Sequence, residues 1–284
     1  MHKKYLDRII SQALKEDIGR GDVTTELLIP ASQISKGYIL LKENATLCGI
    51  DIARRVFRKL DPALQFQSTY KDGDTVSGLT KIIDLKGKTR AILSAERVAL
   101  NFLSYLSSIA TKTRAFVRAV SSCDVTILDT RKTTPGLRWL EKMAVGCGGG
   151  ENHRSSLEEM VFIKDNHWKA ILKKFSIKET ILYVRKHSKK KIIAEAQNLK
   201  EFEELWAARP DVILLDNMSV DQMRRAVSLN RARGRKGQKK VLLEASGGIR
   251  FENVRAVAKI GVDRISVGEL THSRREIDFS LEII

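Results

Sequence analysis

The residues best suited to chemistry stand at the ends of short apolar runs. Val125–Leu128 leads into Asp129-Thr130-Arg131-Lys132-Thr133-Thr134-Pro135-Gly136-Leu137-Arg138. A guanidinium is a planar fork that grips a carboxylate or phosphate in two places, and an ammonium acts as a point charge. The same string also reads as an ordinary basic turn closed by Pro-Gly. In Gly148-Gly149-Gly150-Glu151-Asn152-His153-Arg154, three glycines that let a backbone approach a ligand precede a histidine and an arginine. A flexible surface loop is the plainer alternative. Lys164-Asp165-Asn166-His167 follows Val161–Ile163, where Asp165 or Asn166 also suits a helix cap. Ser246-Gly247-Gly248, and Val267-Gly268 followed by Thr271-His272-Ser273, offer backbone N–H groups to an anion. A tight strand-to-helix turn explains one such glycine loop well and two in succession less well.

Glu195 and Asp216 close two consecutive apolar runs. Two carboxylates on one rim can hold Mg²⁺ through water or stabilise a developing cation. Each can equally pair with one of the chain's many lysines and arginines. Asn217, beside Asp216, suits ligand hydroxyls. Together these strings describe anion grips and two acids without an activated nucleophile. No G-x-S-x-G elbow or defensible Ser–His–Asp order is present, and the glycines do not form a G-x-G-x-x-G fingerprint. His153 and His167 match no zinc-ligand spacing. Cys48, Cys123 and Cys147 are odd in number and lack a C-x-x-C pair, so neither a disulfide framework nor a structural zinc site is expected. They point to a reducing, cytoplasmic setting, with Cys147 as a buried structural thiol.

The elements that would hold these residues change rhythm along the chain. Leu6, Ile9, Ile10, Ala13 and Leu14 make one helical stripe, stopped by Gly19 and Gly21. Gly37–Leu41 predicts a strand and Ile52–Leu60 a short helix. Ala63–Tyr70, Leu79–Leu85 and Thr89–Leu93 predict further strands, separated by turns at Lys71–Asp74 and Lys86–Lys88. Val98 to Ala110 marks a long helix that continues or restarts near Thr113. From there six apolar runs, ending at Asp129, Lys164, Glu195, Asp216, Glu244 and Gly268, alternate with helical patterns such as Phe202–Ala208 and Val254–Ile260. Such alternation predicts a parallel sheet buried on both faces, a complete or incomplete β/α barrel, with its site at the C-terminal strand ends. The expected fold class is therefore α/β: an α+β unit with an antiparallel sheet over the first third, followed by a β/α barrel.

The 284 residues carry 51 Lys+Arg against 34 Asp+Glu, a net charge of +17. That surplus fits a polyanionic partner or a solvated basic surface. The densest runs, Arg185–Lys191 and Arg231–Lys240, lack the interleaved aromatics that bind single strands, so no specific nucleic-acid partner is expected. No apolar run approaches the length of a membrane span, and the first 17 residues lack the apolar core of a secretory signal.

The strings DTRKTTPGLR (129–138), GGGENHR (148–154), IKDNH (163–167), LLDN (214–217), EASGGI (244–249) and VGELTHS (267–273) occur in this order, after GDVTT (21–25) and ERVALNFL (96–103). From about residue 16 to the C-terminus the chain resembles the quinolinate phosphoribosyltransferases. The resemblance implies an N-terminal α/β sandwich over 1–110, joined by 273–284, an incomplete β/α barrel over 111–272, a dimer with shared active sites, and a reaction joining quinolinate to phosphoribosyl pyrophosphate. Nicotinate mononucleotide, CO₂ and pyrophosphate would be formed, in de novo NAD synthesis. It implies that Arg131, His153, Arg154 and Lys164 hold the quinolinate carboxylates, that Arg97 reaches the partner subunit's site, and that Lys132 meets the donor. Glu195 and Asp216 would serve the ribose, Mg²⁺ and the transition state; Ser246, Gly247, Gly248 and Gly268 would cradle the 5′-phosphate, with His272 nearby. Ser156 and Gln197 depart from the family's usual Gly and acidic residue. Two alternatives compete: a paralogue of the same fold associated with molybdate transport, acting on another acceptor, and a basic nucleic-acid-binding protein.

Overall fold

The computed structural model describes residues 2–171, 174–235, 240–273 and 275–284. The chain divides into two compact units. The first comprises Met1–Arg114, Met143–Gly149 and Arg274–Ile284; the second comprises Ala115–Lys142 and Gly150–Ser273. The stretch 143–149, placed in the barrel by the sequence pattern, belongs with the first unit.

In the first unit, helix α1 (His2–Ile18) buries Leu6, Ile10 and Leu14 and ends at Gly19, whose φ is +60°. Helix α2 (Val23–Leu28) is capped by Asp22, whose carboxylate accepts from the Thr25 N–H at 3.0 Å. These residues make up the GDVTT string. A four-stranded antiparallel sheet follows the order β12-β1-β5-β3, built from β1 (Ile34–Leu41), β3 (Gln65–Gln67), β5 (Thr80–Lys88) and β12 (Phe279–Ile283). Strands β2 (Ala45–Thr46) and β4 (Thr75–Val76) form a separate pair. Helix α3 (Ile50–Leu60) buries Ile52, Ala53, Val56 and Phe57.

Helix α4 (Thr89–Ala119) is one continuous element of 31 residues. It includes Thr89–Leu93, which the alternation of residue types had marked as a strand. A short alternating window cannot be told from the first turns of a helix. Lys86–Lys88 is likewise not a turn but the end of β5. A Cβ at Gly87 would lie 2.9 Å from Asp61 Oδ2 and 3.0 Å from Leu64, so glycine there answers close packing.

The second unit is an incomplete β/α barrel. Its six parallel strands are β6 (Thr126–Leu128), β7 (Val161–Ile163), β8 (Ile192–Ala196), β9 (Val212–Asp216), β10 (Leu242–Ser246) and β11 (Arg264–Ser266). They lie in the order β6-β11-β10-β9-β8-β7. The edges β6 and β7 do not pair; instead Glu151 forms a bridge to Leu128. Helix α5 (Arg138–Cys147) follows β6. Helices α6 (Asp165–Ile171) and α7 (Ile177–His187) follow β7, and α8 (Leu199–Ala208), α9 (Val220–Arg235), α10 (Phe251–Ile260) and α11 (Glu269–His272) follow the later strands in turn. Strand β8 is buried at all five positions, as burial on both faces requires. No helix among the described residues is long and apolar enough to cross a membrane.

Candidate active site

The C-terminal ends of the parallel strands surround a cavity of about 1130 Å³, and all of its lining residues belong to the second unit. Arg131, Lys132, His153, Arg154, Lys164, Glu195, Asp216, Asn217, Ser246, Gly247, Gly248, Gly268 and His272 all line it. Arg97 does not; it is an exposed residue of α4 in the first unit.

The cations are arranged on an aromatic ring. Phe162, on β7, stacks with the His153 imidazole at 5.4 Å and carries the Arg154 guanidinium at 4.8 Å and the Lys164 ammonium at 4.5 Å from its centroid. Cations gather over a π face because of its negative quadrupole. Burial lowers the Arg154 pKa, and the neighbouring Arg131 charge lowers it further. Neighbouring guanidiniums can grip a dianion between them. Arg131 Nε and His153 Nε2 are buried without a hydrogen-bond partner among the described residues.

A buried ion pair sets His153. Lys142 and Asp129 have side-chain exposures of 4% and 0% and are paired. Asp129 Oδ1 accepts from the His153 N–H at 2.8 Å, and Lys142 Nζ donates to the His153 carbonyl at 2.8 Å. Both backbone groups of His153 are therefore held by opposite members of one pair. With its amide turned to donate, Asn152 reaches Asp129 Oδ2 at 2.7 Å.

On β8, Glu195 accepts from Lys164 Nζ at 2.9 Å through Oε1 and from the Asp165 N–H at 3.1 Å through Oε2. Asp216, at the end of β9, accepts from Asn217 Nδ2 at 3.1 Å. At the late strands, Gly247 and Gly248 have φ of +86° and +63°. A Cβ on Gly247 would lie 2.2 Å from Asn217 Oδ1 and 2.8 Å from the Asn217 nitrogen, so no side chain fits between these loops. The Thr271 hydroxyl donates to the Lys132 carbonyl at 2.6 Å, tying the loop after β6 to α11.

Two family models match the chain: the quinolinate phosphoribosyl transferase N-terminal domain over residues 22–107 and the C-terminal domain over 109–282. The chain belongs to the quinolinate phosphoribosyltransferase family. It is similar to a probable carboxylating nicotinate-nucleotide pyrophosphorylase of Methanocaldococcus jannaschii, at 38% identity over 100% of this chain and 99% of that one. A decarboxylating quinolinate phosphoribosyltransferase of Nicotiana tabacum is 37% identical over 99% of this chain and 83% of its own length. The nicotinate-nucleotide pyrophosphorylase structure from Francisella tularensis superposes with a TM-score of 0.92 at 38% identity, covering 99% of this chain and 96% of that one.

Beyond the family strings singled out in the sequence, the cavity of this quinolinate phosphoribosyltransferase relative holds residues to which sequence reasoning gave no role. Glu244, at 0% exposure on β10, presents two carboxylate oxygens with no hydrogen-bond partner among the described residues; His153 Nε2 lies 3.5 Å away. Its place at the end of an apolar run was the available signal. Arg250 adds a cation at the start of α10. Phe162 was visible only as a strand residue, and Lys142 carried no signal at all. Ser156 is half-buried with its hydroxyl unpartnered among the described residues, and Gln197 lines the cavity. Of the two basic runs, Arg185 is engaged by Asp211 and by the Arg209 carbonyl, and residues 236–239 lie outside the described residues.

Proposed function

We propose that this cavity transfers the phosphoribosyl group of phosphoribosyl pyrophosphate to quinolinate, releasing pyrophosphate and CO₂ and forming nicotinate mononucleotide for NAD synthesis. The observation that carries this reading is the cation cluster on Phe162, facing Arg131. Quinolinate is a dianion, and four cationic or polar grips converge where a dicarboxylate needs them. Arg131, His153, Arg154 and Lys164 hold its carboxylates. Lys132 meets the donor, and Ser246, Gly247, Gly248 and Gly268 receive the 5′-phosphate, with His272 at the same end. An anion suits backbone N–H groups opened by positive φ beside a helix start.

Glu195 and Asp216 were both expected to serve Mg²⁺. Asp216 fits that role: it is half-exposed at the rim, and only one of its oxygens takes a hydrogen bond from the described residues. Glu195 fits it less well, because both oxygens are already engaged. Magnesium, when bound, carries the charge of the departing pyrophosphate. The residues of the chain do the rest by position and field. Glu195 holds Lys164 in place and lends negative charge to the anomeric carbon as it becomes cationic, and Asn217 orients the ribose hydroxyls. Loss of CO₂ leaves a carbanion beside the pyridinium nitrogen, whose positive charge stabilises it. The setting is cytoplasmic, and the working form is a homodimer in which Arg97 completes the partner's site.

The test is an assay of the purified protein with quinolinate, phosphoribosyl pyrophosphate and Mg²⁺, following nicotinate mononucleotide by chromatography, with nicotinate as the control acceptor. Product from quinolinate alone is expected. A folded protein that makes none would move the assignment to another acidic acceptor. Phe162→Ala should raise KM for quinolinate roughly tenfold or more, since each lost cation–π contact is worth about 0.5–2 kcal/mol. An unchanged KM would remove the ring from the recognition scheme. Mixing an Arg97→Ala chain with a Lys164→Ala chain should regain activity that neither homodimer has. No recovery after proven subunit exchange would place Arg97 in its own subunit's chemistry or outside it.

A further inference from the structure

Outside the cavity, two cysteines far apart in sequence meet in the first unit. The sulfurs of Cys48 and Cys147 and a carboxylate oxygen of Asp72 all lie within 4.8 Å of one another, and both thiols are free. Each cysteine is fixed to helix α4 by its own contacts. The Cys48 N–H donates to Ser107 Oγ at 3.0 Å, and that hydroxyl donates back to the Cys48 carbonyl. The Cys147 carbonyl accepts from Arg114 Nη2 at 3.1 Å, which also donates to the Gly73 carbonyl. The next residue, Gly148, is pressed so closely on α4 that a Cβ would lie 2.4 Å from Thr113 Cβ and 2.6 Å from the Ala110 carbonyl. Asp72 Oδ1 accepts from the Gly49 and Ile50 N–H groups at the start of α3, which sets Cys48 from its other side.

We infer that Cys48 and Cys147 are a redox-active pair that closes reversibly into an intramolecular disulfide under a hydroperoxide or a low-molecular-weight disulfide. The two sulfurs are unequal. Cys48 is fully buried, and Cys147 is half-buried. The contact between them, aided by burial, holds the Cys48 thiol well above its ordinary range; the same contact brings Cys147 below it, against its partial burial and the Asp72 charge. Cys147 is thus the nucleophile and Cys48 the resolving thiol. With a hydroperoxide, the Cys147 thiolate attacks the O–O bond and becomes a sulfenic acid, and the displaced alkoxide or hydroxide takes a proton from solvent and leaves as an alcohol or water. The Cys48 sulfur then attacks the Cys147 sulfur, and the displaced hydroxide leaves as water with the Cys48 proton. With a disulfide, the Cys147 thiolate displaces one thiolate to form a mixed disulfide, and the Cys48 sulfur displaces the second, which leaves as a thiol with the Cys48 proton; on either route the two thiols supply the two electrons. The closed loop spans about 100 residues, a length at which a cross-link strongly restricts the unfolded chain. The inference does not depend on the proposed reaction, because neither cysteine lines the cavity.

The experiment treats the full, folded chain with hydrogen peroxide and, separately, with oxidised glutathione, followed by alkylation, intact mass and a non-reducing peptide map. A mass lower by two hydrogens, a peptide joining Cys48 to Cys147, reversal by dithiothreitol and a Tm higher by several degrees are expected. Cys123→Ser should still form the bridge, and Cys147→Ser should not. Recovery of both residues as unlinked thiols, or of Cys147 as a sulfinic acid or glutathione adduct with Cys48 free, would overturn the inference. So would a co-purified thiophilic metal whose removal by a chelator alone exposes the two thiols. The wild-type peptide map decides the matter even where a serine variant fails to fold.

Discussion

Glu195→Gln is expected to lower kcat by roughly 10²- to 10³-fold, the scale of losing one preorganised electrostatic group at a reacting centre. The geometry explains why an isosteric change does so much. Both Glu195 oxygens accept hydrogen bonds, one from the Lys164 ammonium and one from the Asp165 N–H. An amide has only one acceptor, so one of these donors must face an N–H₂ group. The backbone donor is fixed, and Lys164, with 46% of its side chain exposed, is the partner that moves. In the proposed reaction the substitution therefore removes negative charge near the anomeric carbon and loosens a carboxylate grip at once. Steady-state kinetics should show kcat falling and KM for quinolinate rising together. A kcat within threefold of wild type, in a folded variant, would reduce Glu195 to a structural anchor.

Much of this site was legible because a barrel places catalytic residues at strand ends. Six apolar runs each stop at a polar residue or glycine, and in the structure each is a strand of the parallel sheet. Thirteen of the expected site residues line one cavity as a consequence. What stayed hidden depends on contacts between segments remote in sequence. Lys142 sits in mid-helix with nothing in its neighbours to announce Asp129 across the fold. Phe162 reads as one more apolar strand residue until two cations and an imidazole are seen on its ring. The thiol pair is invisible for the same reason: the contact of Cys48 with Cys147 exists because Ser107 and Gly148 pin two distant segments to α4. Thr89–Leu93 failed differently, because five residues hold too few periods to distinguish a helix from a strand.

Lys142→Met should destabilise the protein by about 3–5 kcal/mol, the range for breaking a buried ion pair on one side. Asp129, at 0% exposure, would be left as a buried charge. Burial already raises its pKa, and Lys142 is the principal opposing influence. Removing Lys142 raises it further. A carboxyl whose folded pKa exceeds its unfolded value binds protons more readily in the native state, so stability falls as pH rises through that interval. The deficit of the variant should therefore shrink as pH falls from neutral and level off below about pH 3, where the carboxyl is protonated in both states. Chemical denaturation at several pH values reads this directly; a pH-independent deficit would mean that lost packing, not the stranded charge, sets its size. Asp129→Leu combined with Lys142→Met then separates stability from function. An apolar pair of similar volume should recover most of the lost stability, since such replacements are often neutral or better. It should not recover activity, because the His153 N–H and carbonyl would both lose their partners and the imidazole would leave its place against Phe162. A double variant that is both stable and fully active would show that the buried pair serves the fold alone.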